Sequence, residues 1–342
     1  MTPEQQQLLE NLQVYLSDKM QTPVQITDAK PLAGGASRDT WLFTIQVAED
    51  TQKIILRRDL PTQMFDDALS RQQEFKLMSS AYDHGVTVAN MRWSCEDESV
   101  LGSPFFIMDF VDGISIGRKV IGLPELASAR AILPQQMAQE LAKIHSLDVS
   151  AYDLDFLARP QDGRTPAQEA MHQMLTILDD LGVNNPTWEW ALRWAQNNQP
   201  EPTPLSFIHG DFRIGNLLVD ETGLTAVIDW EFGHLGNPDE ELGYLCMRDW
   251  RFGQTDKRAG GLTDRETFLK AYEDASGRTV SRESVDWWEL MGNIRWGIIC
   301  MAQANRHLSG EEPSVELASL GRRSAEMQLE SLRLIDSFGM FD

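Results

Sequence analysis

At 342 residues the chain is too long for most single compact cores and suits two lobes, and its 42% hydrophobic and 24% charged residues exclude a disordered or membrane-embedded protein. A formal net charge of −22, spread along the chain, argues against a nucleic-acid partner, because phosphate binding needs a basic stripe. Cys95, Cys246 and Cys300 stand far apart, no run reaches the roughly 20 apolar residues that span a bilayer, and no basic stretch opens the N-terminus, so a cytoplasmic, membrane-free protein is expected.

In chain order, Leu8, Leu9, Leu12, Tyr15 and Leu16 recur at helical spacing over residues 4–20, and Thr22-Pro23 closes that helix. Residues 24–32, 40–47 and 53–57 read as short strands, broken by Gly34-Gly35 and by the polar stretch 48–52. A helix is predicted over 66–82, then strands over 88–93 and 104–111. Beyond Asp112-Gly113 the pattern becomes helical, at 126–147, 166–181, 186–197, 239–250, 265–275, 284–307 and 315–338. One island of β character, 205–229, interrupts these helices. The expected class is α+β in two lobes, a small β-rich N-lobe (1–111) and a larger, mainly helical C-lobe (112–342).

The island holds Phe207-Ile208-His209-Gly210-Asp211-Phe212-Arg213-Ile214-Gly215-Asn216, and thirteen residues after Asn216 stands Asp229, in Ile228-Asp229-Trp230. Phosphoryl transfer needs a carboxylate that orients and deprotonates the acceptor hydroxyl, and hard oxygen ligands that hold Mg²⁺ against the nucleotide phosphates. Asp211 suits the first role; Asn216 and Asp229 suit the second. The Asp-x-x-x-x-Asn spacing sets base and amide at the two ends of one loop, and a hairpin returns Asp229 beside the amide. Singly these are ordinary turn residues; the reading rests on their spacing and flanking strands.

In these motifs the chain resembles the aminoglycoside-phosphotransferase-like family, whose catalytic loop is H-G-D-x-x-x-x-N and whose metal aspartate lies in I-D-W or a close variant. The resemblance extends over nearly the whole chain. It implies a protein-kinase-like fold, ATP or GTP as donor, Mg²⁺, a small hydroxylated molecule as acceptor, and His209 as a prop for the loop. The run Leu235-Gly236-Asn237-Pro238-Asp239-Glu240-Glu241-Leu242 resembles the family's G-D-P-x-x-D-L, from which Asn237 and Glu241 depart. Arg57 resembles the phosphate-contacting lysine of kinase-like enzymes, with Glu74 as its partner and Arg58 as the alternative. Gly34, Gly35 and Ser37 form a turn whose backbone can approach phosphate, although a glycine pair is also ordinary hairpin chemistry. Met108, Asp109 and Val111 fall at the hinge, where adenine would meet backbone groups. Trp287, Trp288, Arg295, Trp296, Gln303 and Asn305 lie on a late helix that flanks the acceptor cleft in related enzymes. Residues 56–59 and 228–231 look closest to the kinase-like domains fused to some acyl-CoA dehydrogenases, which favours a hydroxylated acyl compound over an antibiotic.

Two other readings compete. Gly113-Ile114-Ser115-Ile116-Gly117 matches the G-x-S-x-G elbow of a serine hydrolase with Ser115 as nucleophile, but residues 111–113 already turn and Pro124 is expected to delay the helix that must follow. A non-catalytic nucleotide-binding module is the second; the retained base and both metal ligands speak against it.

Overall fold

The computed structural model describes residues 2–32, 38–59 and 68–338. The first helix, α1 (Pro3–Met20), is started by a Thr2–Gln5 capping box and buries Leu8, Leu12 and Leu16 at one-turn spacing. Strands β1 (Val24–Pro31), β2 (Arg38–Val47) and β3 (Asp50–Asp59) follow, then α2 (Arg71–Asp83), β4 (Met91–Cys95), the single turn α3 (Glu98–Leu101) and β5 (Phe105–Asp109). The five strands form one antiparallel sheet in the order β1-β2-β3-β5-β4.

The alternation of β3 decides what each face of this sheet does. Ile54 and Leu56 enter the core beneath α1, with Phe43, Phe105 and Ile107, whereas Arg57 points to the α2 side. Arg58 returns to the α1 side, where it meets Asp39 at 2.6 Å and the Leu101 carbonyl at 2.8 Å.

The remaining elements are α4 (Gly117–Gly122), α5 (Ala127–Ser146), α6 (Pro166–Asp180), α7 (Pro186–Asn197), β6 (Ser206–Ile208), β7 (Leu217–Asp220), β8 (Gly223–Val227), β9 (His234–Gly236), α8 (Pro238–Cys246), α9 (Arg265–Ser276), α10 (Arg282–Ser309) and α11 (Val315–Ser337). Strands β7 and β8 form a hairpin, and β6 pairs with β9. A β-rich N-terminal part thus joins a helical C-terminal part, as the sequence implies.

Local differences have physical causes. The fourth strand starts at Met91 instead of residue 88, because the preceding segment docks on the helical part. The Thr87 N–H and hydroxyl are held by Glu140 at 2.7 and 2.9 Å, and its carbonyl accepts from Val227 N at 2.7 Å. Helix α8 stops at Cys246, ahead of the expected residue 250, where the Arg251 guanidinium takes the Cys246 carbonyl at 3.0 and 2.7 Å. A short helix, α4, begins at Gly117, so Pro124 does not delay a helix after Ser115 as expected.

Helices α8 and α10 approach at Gly243, where an added Cβ would lie 2.5 Å from Glu289 N and 2.7 Å from the Trp288 carbonyl carbon. Gly243→Ala should therefore cost about 1–3 kcal/mol by overpacking. Gly122→Ala, with no atom within 4 Å of the new carbon, should be neutral or stabilise by up to about 1 kcal/mol. Urea unfolding of the two variants checks the contrast.

Candidate active site

The loop after β6 is shaped by one glycine and one buried anion. Gly210 sits at φ 84°, and an added Cβ would lie 2.3 Å from the Phe232 carbonyl oxygen, so both conformation and space demand glycine. The Glu241 carboxylate, from α8, accepts the N–H groups of His209 at 3.0 Å and Gly210 at 2.9 Å, and meets His145 Nε2 at 2.9 Å. Burial alone would raise the Glu241 carboxyl; the hydrogen bond and charge of His145 and the donated loop N–H outweigh it and hold the group below its ordinary range. Asn237 caps α8 by accepting Asp239 N at 3.0 Å. Both departures from the family pattern therefore have defined roles.

His209 is fully buried against Trp230 and Phe212. Its Nδ1 accepts the Asp211 N–H at 3.3 Å, so Nε2 carries the proton given to the Ile228 carbonyl at 3.0 Å. One imidazole thus ties the start of the loop to the strand end that presents Asp229.

The Asp211 carboxylate has three donors. Oδ1 accepts from the Tyr244 hydroxyl at 2.7 Å and from Arg213 Nε at 3.1 Å, and Oδ2 accepts from Asn216 Nδ2 at 2.6 Å. Burial and then the Asp211 charge push Tyr244 well above its ordinary value, so it stays a donor. Arg213 lies over the Trp250 ring, 4.7 Å from its centroid. A carboxylate has about four acceptor positions; with two donors on Oδ1, the remaining one belongs to Oδ2.

Asp229 follows β8 at φ 68°, a left-handed conformation that aspartate tolerates better than most residues. Its Oδ1 accepts from Arg57 Nη2 at 2.8 Å. Burial would raise this carboxyl, but Arg57 overrides it and holds it low. Arg57 also pairs with Glu74 at 2.9 Å and lies 3.6 Å from Glu231, while its buried Nε has no hydrogen-bond partner among the described residues. Arg71 extends the network, binding Glu74 and reaching Asp59 at 3.0 Å.

The structure thus brings Arg57, Glu74, Asp211, Asn216 and Asp229 together, and it separates Arg58 from them. The residues present suit Mg²⁺. Asn216 commits its amide nitrogen to Asp211, leaving Oδ1 without a donor among the described residues, and the Ile228 N–H holds the Asn216 carbonyl at 3.0 Å. One carboxylate and one amide oxygen match a cation that takes its other ligands from phosphate and water.

At the hinge, Asp109 is engaged by Arg92 and by Asn90 at 3.0 Å, so its side chain is structural. The Met108 side chain packs on the core, and the Val111 N–H makes no hydrogen bond among the described residues. Gly34, Gly35 and Ser37 lie outside the described residues.

A cavity of about 460 Å³ opens beside the loop, reaching Gly210, Tyr244, Trp288 and Arg295. Of the other late-helix candidates, Trp287 donates inward to the Ala195 carbonyl, Trp296 donates to Asp249, Gln303 is buried and accepts from Arg306, and Asn305 faces solvent. Arg213 and Tyr244 were not among the sequence candidates. Tyr244 lies one helical turn beyond Glu241, a spacing that sets both on the face of α8 turned to the loop.

A family model described as the phosphotransferase enzyme family (APH) matches residues 28–288. The chain belongs to this family. Mouse acyl-CoA dehydrogenase family member 10 is 29% identical over 208 residues, 60% of this chain. The chain spans 19% and 38% of the lengths of the first two such curated relatives. A Ralstonia eutropha protein described as a candidate aminoglycoside phosphotransferase superposes with a TM-score of 0.75 at 23% identity, covering 96% of this chain and 98% of that one. A thermostable mutant of an aminoglycoside phosphotransferase, in ternary complex with AMP-PNP and hygromycin B, gives 0.63 at 15% identity, covering 97% and 100%. These likenesses show the protein-kinase-like fold.

The hydrolase motif has a packing explanation in this family member. An added Cβ on Gly117 would enter the Phe252 ring at 2.2 Å, and one on Gly113 would lie 2.8 Å from Thr225 Oγ1. No histidine hydrogen-bonds Ser115 among the described residues.

Glu241→Gln offers one acceptor oxygen where three donors converge, and should destabilise the protein by about 1–3 kcal/mol at neutral pH. Because the folded carboxyl titrates below its unfolded value of about 4.3, its contribution is complete above that value and is lost as pH falls through the lower folded one. In urea unfolding across a pH series, the gap between wild type and variant should be widest above about pH 5 and close on further acidification.

Proposed function

We propose that this protein transfers the γ-phosphoryl group of ATP or GTP to a hydroxyl of a small molecule, with Asp211 as the base. The observation that supports it most is the pairing of Asp211 with Asn216 and of Asp229 with Arg57 and Glu74, two hydrogen-bonded groups joined where the Ile228 N–H meets the Asn216 carbonyl at 3.0 Å. In this reading residues 1–111 bind the nucleotide, and residues 112–342 carry the catalytic loop and the acceptor-binding helices. The Val111 N–H is a donor for the base edge. The AMP-PNP held by the aminoglycoside phosphotransferase relative supports nucleotide use. Cys95, Cys246 and Cys300 are free thiols, in keeping with a reducing cytoplasm. No helix of the described residues is long and apolar enough to cross a membrane.

The chemistry follows from the donor set. Oδ2 of Asp211, with one position open, accepts the hydroxyl proton as the acceptor oxygen bonds to phosphorus; the bond from the γ-phosphorus to the bridging oxygen breaks and the nucleoside diphosphate leaves. Tyr244, Arg213 and Asn216 fix the carboxylate so that the open position points one way. Asn216 and Asp229 would hold Mg²⁺, which supplies neutralisation of phosphate charge. Arg57, oriented by Glu74, contributes a cation at the same place.

Asp211→Asn should lower turnover by about 10² to 10⁴-fold with Mg-nucleotide binding retained, whereas Asp229→Asn should weaken both. Calorimetric titration of Mg-AMP-PNP beside a turnover assay on hydroxylated acceptors separates the two; near wild-type turnover by Asp211→Asn removes it as the base. Arg57→Ala should weaken nucleotide binding with the fold intact, and an unchanged affinity in the same titration transfers that role to another group. Nucleotide binding with no turnover of any acceptor would favour the binding-module reading.

A further inference from the structure

The cavity beside Asp211 runs against the charge of the chain around it. The chain carries −22 overall, yet Arg159, His234 and Arg295 all line this space. Three carboxylates line it too, and each is already engaged. Glu241 holds the catalytic loop. Glu169 accepts from Arg164 Nε at 2.7 Å and from Gln161 N at 3.1 Å. Glu240 stands between Arg295, at 3.4 Å, and the His234 imidazole, at 3.7 Å.

His234 accents this balance. Its Nδ1 donates to the Phe232 carbonyl at 2.9 Å, which leaves Nε2 toward Glu240. Burial would lower this imidazole, but Glu240 more than offsets it and raises the group. Arg159 has only an exposed contact with Asp155 at 3.9 Å among the described residues, too long and too solvated to neutralise it. Among the described residues Arg295 pairs only with Glu240, which it shares with His234.

We infer that the acceptor is an anionic molecule, a small hydroxylated carboxylate or phosphate monoester whose charged group sits on the guanidinium groups of Arg159 and Arg295, while its hydroxyl reaches Asp211 past Gly210 and Tyr244. This rests on the phosphotransferase reading above. Guanidinium groups are the side chains best matched to either anion. Met174, Met291 and Phe156 line the same cavity and suit an apolar body between the two ends. A polycationic amino sugar would meet Arg159 and Arg295 with repulsion, and the carboxylates that would attract it are occupied.

A series of equal length that varies only in charge tests this: hydroxyhexanoate, hexanediol and aminohexanol, with glycerol phosphate against glycerol as the phosphate arm. Binding to the Mg-AMP-PNP-loaded protein is followed by ligand-observed NMR. Hydroxyhexanoate or glycerol phosphate should bind at least tenfold more tightly than its neutral and cationic counterparts, and the arm that responds identifies the anion. Arg295→Ala should lower that affinity about tenfold, and the double change Arg159→Glu with Arg295→Glu should turn the preference toward aminohexanol. Calorimetry of Mg-AMP-PNP alone is run on each variant and should stay within about twofold of wild type, which also shows that the variants fold. Failure of wild type to bind Mg-AMP-PNP would count against the phosphotransferase reading itself. Intact nucleotide binding with no preference for the anionic members, including no binding by any of them, overturns the inference.

Discussion

A buried carboxylate, Glu241, organises the centre of this molecule. An ion removed from water is tolerated only when donors surround it, and here these are two loop N–H groups and an imidazole. The loop receives its shape from the same bonds. Gly210 can turn at φ 84° against the Phe232 carbonyl because its own N–H and that of His209 are satisfied from α8. The demand of one buried charge for partners thus becomes the positional accuracy of Asp211, one residue further on.

From there the constraint passes outward in two directions. Through His209 it reaches the Ile228 carbonyl and hence Asp229; through α8 it reaches Tyr244, which returns to Asp211 from the far side. The Asp211 carboxylate is therefore held from the loop by Arg213 and Asn216 and from the helix by Tyr244. Tyr244 also lines the cavity, so the cavity wall and the bond that orients Asp211 belong to one side chain.

Much of this was legible in the sequence, for reasons that differ residue by residue. The loop and Asp229 could be read because turn residues at fixed spacing between strands leave few arrangements, and the Arg57–Glu74 pair because the resemblance to kinase-like enzymes sets a lysine and a glutamate at those strand and helix positions. Arg57 and Arg58 could not be told apart until pairing fixed the pleat, since a one-residue slip exchanges the faces. The start of β4 was misplaced because Val88 and Ala89 are apolar and buried, as a strand would require, yet their neighbour Thr87 bonds to Glu140 and Val227. Tyr244 gave no signal beyond its spacing from Glu241. Its role depends on how α8 packs against the loop, a contact between segments far apart in the chain.

The ion-pair network beneath the sheet bears on what the cleft holds. Arg57 is gripped from two sides, by Glu74 at 2.9 Å and by Asp229 at 2.8 Å, with Glu231 at 3.6 Å. Arg71 binds Glu74 and reaches Asp59 at 3.0 Å, so Glu74 is fixed independently of Asp229. Asp229 is kept at φ 68°, outside the broad wells of an ordinary strand end. Burial would raise its carboxyl, but Arg57 first, then His209 and Arg213, hold it low. In the proposed phosphotransferase, a divalent cation on Asn216 and Asp229 would compete with Arg57 for the Asp229 carboxylate, and Glu74 would keep the guanidinium in place to face phosphate.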